Sequence, residues 1–181
     1  MNTPDTEPRY LLSRNQFILL SIVTFGLYDL WWIFKSWRFF RDKEQSNIHS
    51  AIRTTFSFLY LIPLLLRIQR FAAETGYSRR FSPIGLYLGF WIVNLLSLLP
   101  EPLSYVSLLS FLPLLPPFDA LNYAIRQSDG GLVVVQTSFN RRQRLLLIAG
   151  IACWLLAILG IIGEVLPEVP DANESLQPYQ G

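Results

Sequence analysis

LLLIAGIACWLLAILGIIG, Leu145 to Gly163, holds no charged residue and no proline. At 1.5 Å of rise per residue a helix over it is about 28 Å long, close to the roughly 30 Å hydrocarbon core of a bilayer. Helices and closed barrels are the structures that satisfy their own backbone in lipid, so the run reads as a membrane-crossing helix. Arg141, Arg142 and Arg144 precede it, and the tail after Glu164 has no basic residue.

Working back, the chain repeats this character less cleanly. Ile84 to Leu99 and Leu103 to Phe118 are apolar runs joined by Pro100-Glu101-Pro102, which predicts a tight helical hairpin. The second of them carries Pro113, Pro116 and Pro117, so its C-terminal end is not expected to be regular helix. Phe17 to Phe34 is long enough to cross, at about 27 Å. It is too long for the apolar part of a signal peptide, and no A-x-A site follows it, so it reads as uncleaved. Thr54 to Leu66 reaches about 20 Å and contains Pro63. It is either a short span or, as Pro63 favours, a re-entrant segment.

Hydrophobic residues make up 51% of the chain and charged residues 15%. A soluble domain carries about a quarter charged residues. The expected fold is an all-α integral membrane protein, a helical bundle of four or five membrane segments with short interfacial helices. Residues 1–16 read as a flexible N-terminal tail, 17–163 as the multi-pass membrane domain and 164–181 as a disordered C-terminal tail. Arg67 to Thr75 and Asp119 to Ser128 have one apolar face each and read as the interfacial helices, the latter with Asp119 as N-cap. Leu132 to Val135 is too short to span.

Arginine bias sets the orientation. Arg67, Arg70, Arg79 and Arg80 lie between the second and third runs, and Arg126, Arg141, Arg142 and Arg144 before the fifth. Those loops are expected in the cytoplasm and the C-terminus outside. The loop Lys35–Arg53 is also basic, and a re-entrant second run lets it stay inside.

Several residues stand out. Asp29 is an acid inside an apolar run, where charge is costly and often functional. The alternative is that it reaches head-group water near the Lys35 end of the run. Asn94 is its candidate intramembrane neighbour. Trp31, Trp32 and Trp37, with Lys35 and Arg38, read as interface anchors rather than a ligand cage. Gly85 and Gly89, and Ala149, Cys153 and Ala157, form small-residue faces for helix packing. His49 is a lone loop histidine, and the single cysteine, Cys153, makes no internal disulfide. No spacing supplies a nucleophile–base pair, a phosphate loop or a metal site, so no catalytic residue, metal or cofactor is expected. Arginines at the ends of apolar runs point to membrane lipids rather than nucleic acid.

Gly26-Leu27-Tyr28 with Trp32-Ile33 recurs as Gly85-Leu86-Tyr87 with Trp91-Ile92. Ser57-Phe58-Leu59 with Leu61 and Pro63 recurs as Ser110-Phe111-Leu112 with Leu114 and Pro116. The pattern fits two copies of one hairpin plus a fifth helix, as in many transporters. Chance likeness between leucine-rich segments gives the same pattern.

Thr24-Phe25-Gly26-Leu27-Tyr28 running into Trp31-Trp32-Ile33-Phe34-Lys35 resembles small uncharacterised bacterial inner-membrane proteins with a T-x-G-x-Y-x-x-x-W-x-x-K signature, a domain-of-unknown-function family. The clear match covers roughly Ser21 to Phe40, and the stretch Leu108 to Pro117 followed by Asn122 is a looser one. The resemblance implies the bacterial cytoplasmic membrane and no particular activity. The expectation is a non-catalytic accessory or scaffold subunit in contact with lipids and another membrane protein, with a small transporter or lipid-handling protein as the alternative.

Overall fold

The computed structural model describes residues 9–44, 57–100, 103–128 and 133–165. The described residues are mostly helical. They form α1 (Arg14–Val23), α2 (Leu27–Glu44), α3 (Ser57–Glu74), α4 (Pro83–Leu95), α5 (Leu115–Ser128) and α6 (Arg141–Val165), with 3-10 turns at Leu96–Leu98, Leu103–Leu109 and Leu112–Leu114. Two short parallel strands, β1 (Arg9–Leu11) and β2 (Val133–Val135), pair with Tyr10 opposite Val134.

The strands revise one expectation and give a second stretch its form. Residues 9–16 are not tail: they form β1 and the start of α1. There Ser13 and Gln16 close a reciprocal cap, each side chain bonded to the other's backbone N–H. Residues 133–135, too short to span, are β2 beside β1, and Gln136 N–H extends the pairing to the Leu11 carbonyl at 2.8 Å.

The membrane segments also come out differently. Two stretches are long and apolar enough to cross a membrane, Tyr105–Ser128 and Arg141–Gly163, so four or five spans are not what the described residues show. Phe17 to Phe34 is not one helix. Phe25 (φ 52°) and Gly26 (φ 81°) turn left-handed and separate α1 from α2. Thr54 to Leu66 and Arg67 to Thr75 are not two units either. From Ser57 on they form α3, one helix that runs through Pro63 without turning back. Pro63 costs one backbone bond, while Leu61, Leu64, Leu65 and Ile68 anchor the helix in the centre of the core.

Asp119 is not a cap. The helix begins earlier, at Leu115, and takes Pro116 and Pro117 into its first turn, where their missing N–H groups would have no intrahelical partner anyway. Asp119 lies inside α5 and pairs with Arg14 at 3.2 Å. The expected hairpin after α4 forms, with Leu96–Leu98 packed on Leu103–Leu109. Glu101 and Pro102 at its tip lie outside the described residues, as do His49 and residues 166–181.

α3 and α5 pack on each other at the centre. The buried positions of α3 and of α5 with the turn before it follow the sequence repeat: Leu61, Leu65, Ile68 and Ala72 correspond to Leu114, Phe118, Leu121 and Ile125, and all eight are buried. α4 packs on α3, and α1 on α5. The first part of the repeat does not hold in the same way. Gly26 is a left-handed joint between helices, whereas Gly85 is an ordinary residue of α4.

α6 stands apart. It touches α1 near its middle and leaves most of its surface uncovered, with Leu156 70% exposed.

Candidate functional site

The joint between α1 and α2 is built from the residues around Gly26. Thr24 Oγ1 donates to the Leu20 carbonyl at 2.8 Å and accepts from Tyr28 N–H at 3.0 Å, so one hydroxyl ends α1 and starts α2. Gly26 takes the left-handed conformation that a side chain disfavours. Its N–H returns to the Ser21 carbonyl at 2.8 Å. Tyr28 and Trp32 then pack their rings edge-on against Phe17 of α1.

Asp29 lies in the first turn of α2 and is 1% exposed. It does not reach solvent along its own helix. Ser21 Oγ donates to Oδ1 at 2.5 Å and Ser110 Oγ to Oδ2 at 3.0 Å. A carboxylate at a helix N-terminus is favoured by the aligned peptide dipoles, and two hydroxyl donors replace part of its lost hydration. Asn94 is not its partner: Asn94 Nδ2 donates instead to the Phe90 carbonyl at 2.8 Å within α4. Ser21 and Ser110 were not readable as partners, because a serine in an apolar run carries no signal of what it faces.

The aromatic cluster divides. Trp32 and Trp37 are core residues, buried beneath α2 rather than set at a surface. Trp31 is 45% exposed and stacks on Phe34 at 5.4 Å. Trp31, Lys35 and Arg38 line a cavity of about 580 Å³ between α2, β1 and α5. Its floor is apolar and buried, with Leu11, Trp32, Leu121 and Ile125. Its rim carries Lys35, Arg38, Lys43 and Asp42. Arg38 approaches Asp42 at 3.7 Å, and Arg41 holds the same carboxylate at 2.8 Å. Lys43 lies over the Phe71 ring at 3.4 Å. Among the described residues no carboxylate pairs with Lys35. Partial desolvation, and after it the charge of Arg38, lower the Lys35 pKa from the ordinary lysine value.

The small-residue faces are placed unevenly. Gly89 lies against Pro113, where an added Cβ would meet the ring at ordinary contact distance, and Gly85 N–H donates to the Ser82 cap at 3.2 Å. Ala149, Cys153 and Ala157 are exposed. The packing residue on α6 is Gly150, where a Cβ would come within 2.3 Å of the Val23 carbonyl oxygen. Trp154 completes the contact, its ring stacked on Phe25 at 4.7 Å. Sequence spacing singled out the alanine–cysteine stripe and passed over the glycine one residue away.

Among the described residues no group of three metal-binding side chains forms. Comparison with family models, curated proteins and solved structures finds no match for this chain.

Proposed function

We propose that this chain is a non-catalytic accessory or scaffold subunit of the bacterial cytoplasmic membrane, anchored by α6 and packed on a partner membrane protein. The observation behind this reading is α6 itself. It is about 37 Å long, apolar, and uncovered on the face that carries Ala149, Cys153 and Ala157. Apolar surface of that size on a lone chain marks a lipid or protein contact, and small residues let a second helix approach closely. In this reading the start of α6 lies at the cytoplasmic head groups and its C-terminal end outside, which the basic Arg141, Arg142 and Arg144 support.

The test is extraction of native membrane in a lipid-preserving polymer, followed by mass spectrometry of the captured proteins. A stoichiometric membrane-protein partner, lost when Ala149 and Ala157 are both replaced by leucine, supports the reading. Recovery of the chain without a protein partner overturns it. Orientation is tested separately. With Cys153 replaced, a cysteine at Ser175 labels with an impermeant thiol reagent from outside and one at Gln127 does not.

The second reading, a small transporter or lipid-handling protein, is favoured by the buried Asp29 at a break between two helices. Transporter sites use such interrupted helices.

A further inference from the structure

We propose that the cavity between α2, β1 and α5 is a binding site for an anionic amphiphile. The acidic head group sits at Lys35 and Arg38, and the hydrocarbon chain lies on Trp31, Leu121 and Ile125. The proposal does not depend on the accessory-subunit reading.

Four observations converge on it. The cavity, at about 580 Å³, has the size of ordinary ligand sites, which run from about 300 to 1,000 Å³. Its two chemistries are segregated, with a buried aliphatic and aromatic floor and a charged rim. Among the described residues the rim is net positive: Lys35, Arg38 and Lys43 face Asp42, and Asp42 is already shared with Arg41. Among the described residues no carboxylate pairs with Lys35, so its cation is available to an acidic ligand there.

The position of the cavity narrows the ligand. Tyr28 lines it, and Gln143 Nε2 approaches the Tyr28 hydroxyl at 3.5 Å. Gln143 lies among Arg141, Arg142 and Arg144 at the start of α6. The cavity is therefore at the basic end of α6, the long apolar helix, the end that arginine bias assigns to the cytoplasmic head groups. Anionic head groups are concentrated there. A lone phosphate would use the rim and leave the apolar floor bare; a neutral lipid would leave Lys35 unpaired.

The experiment uses the full chain in a neutral detergent, with native mass spectrometry after exposure to phosphatidylglycerol, phosphatidylcholine or inorganic phosphate. The expected result is phosphatidylglycerol retained about tenfold more than phosphatidylcholine, as two cations near one head group imply. The double variant Lys35→Gln, Arg38→Gln loses that preference. Arg79→Gln, Arg80→Gln removes equal charge from exposed positions off the cavity and keeps it. Leu121→Trp fills the floor and lowers retention of phosphatidylglycerol, with an unfolding midpoint close to that of the parent as its control for folding; Leu121→Met, close in volume, keeps retention. Equal retention of the two lipids overturns the proposal, as does a preference that survives loss of Lys35 and Arg38. Inorganic phosphate competing as strongly as the phospholipid would assign recognition to the anion alone and overturn the amphiphile assignment.

Discussion

Gln69 and Asn122 occupy matching places on the two central helices and make the same bond in opposite halves of the molecule. Gln69, on α3, donates its amide to the Phe81 carbonyl at 2.8 Å, and Asn122, on α5, donates to the Leu12 carbonyl at 3.1 Å. Each acceptor lies one residue before a serine cap, Ser82 of α4 or Ser13 of α1. The likeness extends to the helix ends, where Thr75 Oγ1 donates to the Ala72 carbonyl and Ser128 Oγ to that of Ile125. By this crossed pattern α1 corresponds to α4, and α3 to α5. The sequence repeat had matched α4 with the start of α2 instead.

The crossed bonds predict local, reciprocal effects. Asn122→Leu leaves the Leu12 carbonyl without its donor and loosens the start of α1; Gln69→Leu does the same at α4. Each is expected to cost about 1 kcal/mol, the net worth of one such hydrogen bond. Hydrogen exchange checks this: Asn122→Leu speeds exchange at 13–17 and Gln69→Leu at 82–86. The correspondence is wrong if both variants loosen the same segment.

Gly26 and Ser110 give a second test. An alanine Cβ at Gly26 would lie 3.0 Å from Ser110 Oγ and would be held at a φ of 81°. Gly26→Ala is expected to cost about 1–2 kcal/mol through the left-handed conformation alone. The crowding adds to that, and Ser110→Ala relieves only this added part. Thermal unfolding of the two single variants and the double variant in detergent separates the terms. A Gly26→Ala protein as stable as the parent would remove the strained joint from the account.

Much of this architecture was legible. Leu145 to Gly163 was readable because a long uncharged run has one reading, and it forms the centre of α6. The joint at Gly26 was not. Phe25 carries positive φ there, a conformation with no propensity signal at a phenylalanine. Trp32 and Trp37 were misplaced because tryptophan favours interfaces and cores alike, and burial rather than residue type separates them. Asp29 was flagged by its charge, yet its partners come from α1 and from Ser110, which is distant in the chain.

Asp29 supplies the third prediction. Its two oxygens accept from Ser21 and Ser110, so Asp29→Asn keeps one acceptor and lets its amide donate to the other hydroxyl. Asp29→Leu strands both serines. Asparagine is expected to retain the fold with a small loss, and leucine to cost about 1–3 kcal/mol, the range for buried groups left unpaired. Unfolding midpoints of the two variants, measured side by side, decide the point. Leucine matching the parent would mean that the carboxylate does not hold α1, α2 and the Ser110 turn together.

The attachment of α6 rests on a small area, and that makes it sensitive to one atom. Gly150 lets the helix touch Val23, and Trp154 adds a stacked ring on Phe25 and a 3.4 Å indole N–H bond to the Ile22 carbonyl. Gly150→Val places carbon where the Val23 carbonyl already sits, and the backbone of a helix has little room to yield. The rest of the bundle does not depend on this contact, because the buried core comes from β1, α1 to α5 and the turn that holds Phe111 and Leu114, with α6 adding Leu147 only at its edge. The expected outcome is a protein with an intact core and a displaced α6. With Cys153 replaced by serine, a bimane label on a cysteine at Phe25, quenched by Trp154 on contact, checks the first step: Phe25→Cys quenches in the parent and loses quenching with Gly150→Val. Ala157→Val, on the exposed face, leaves quenching unchanged. Quenching that persists in Gly150→Val would show that α6 is held by something other than this contact.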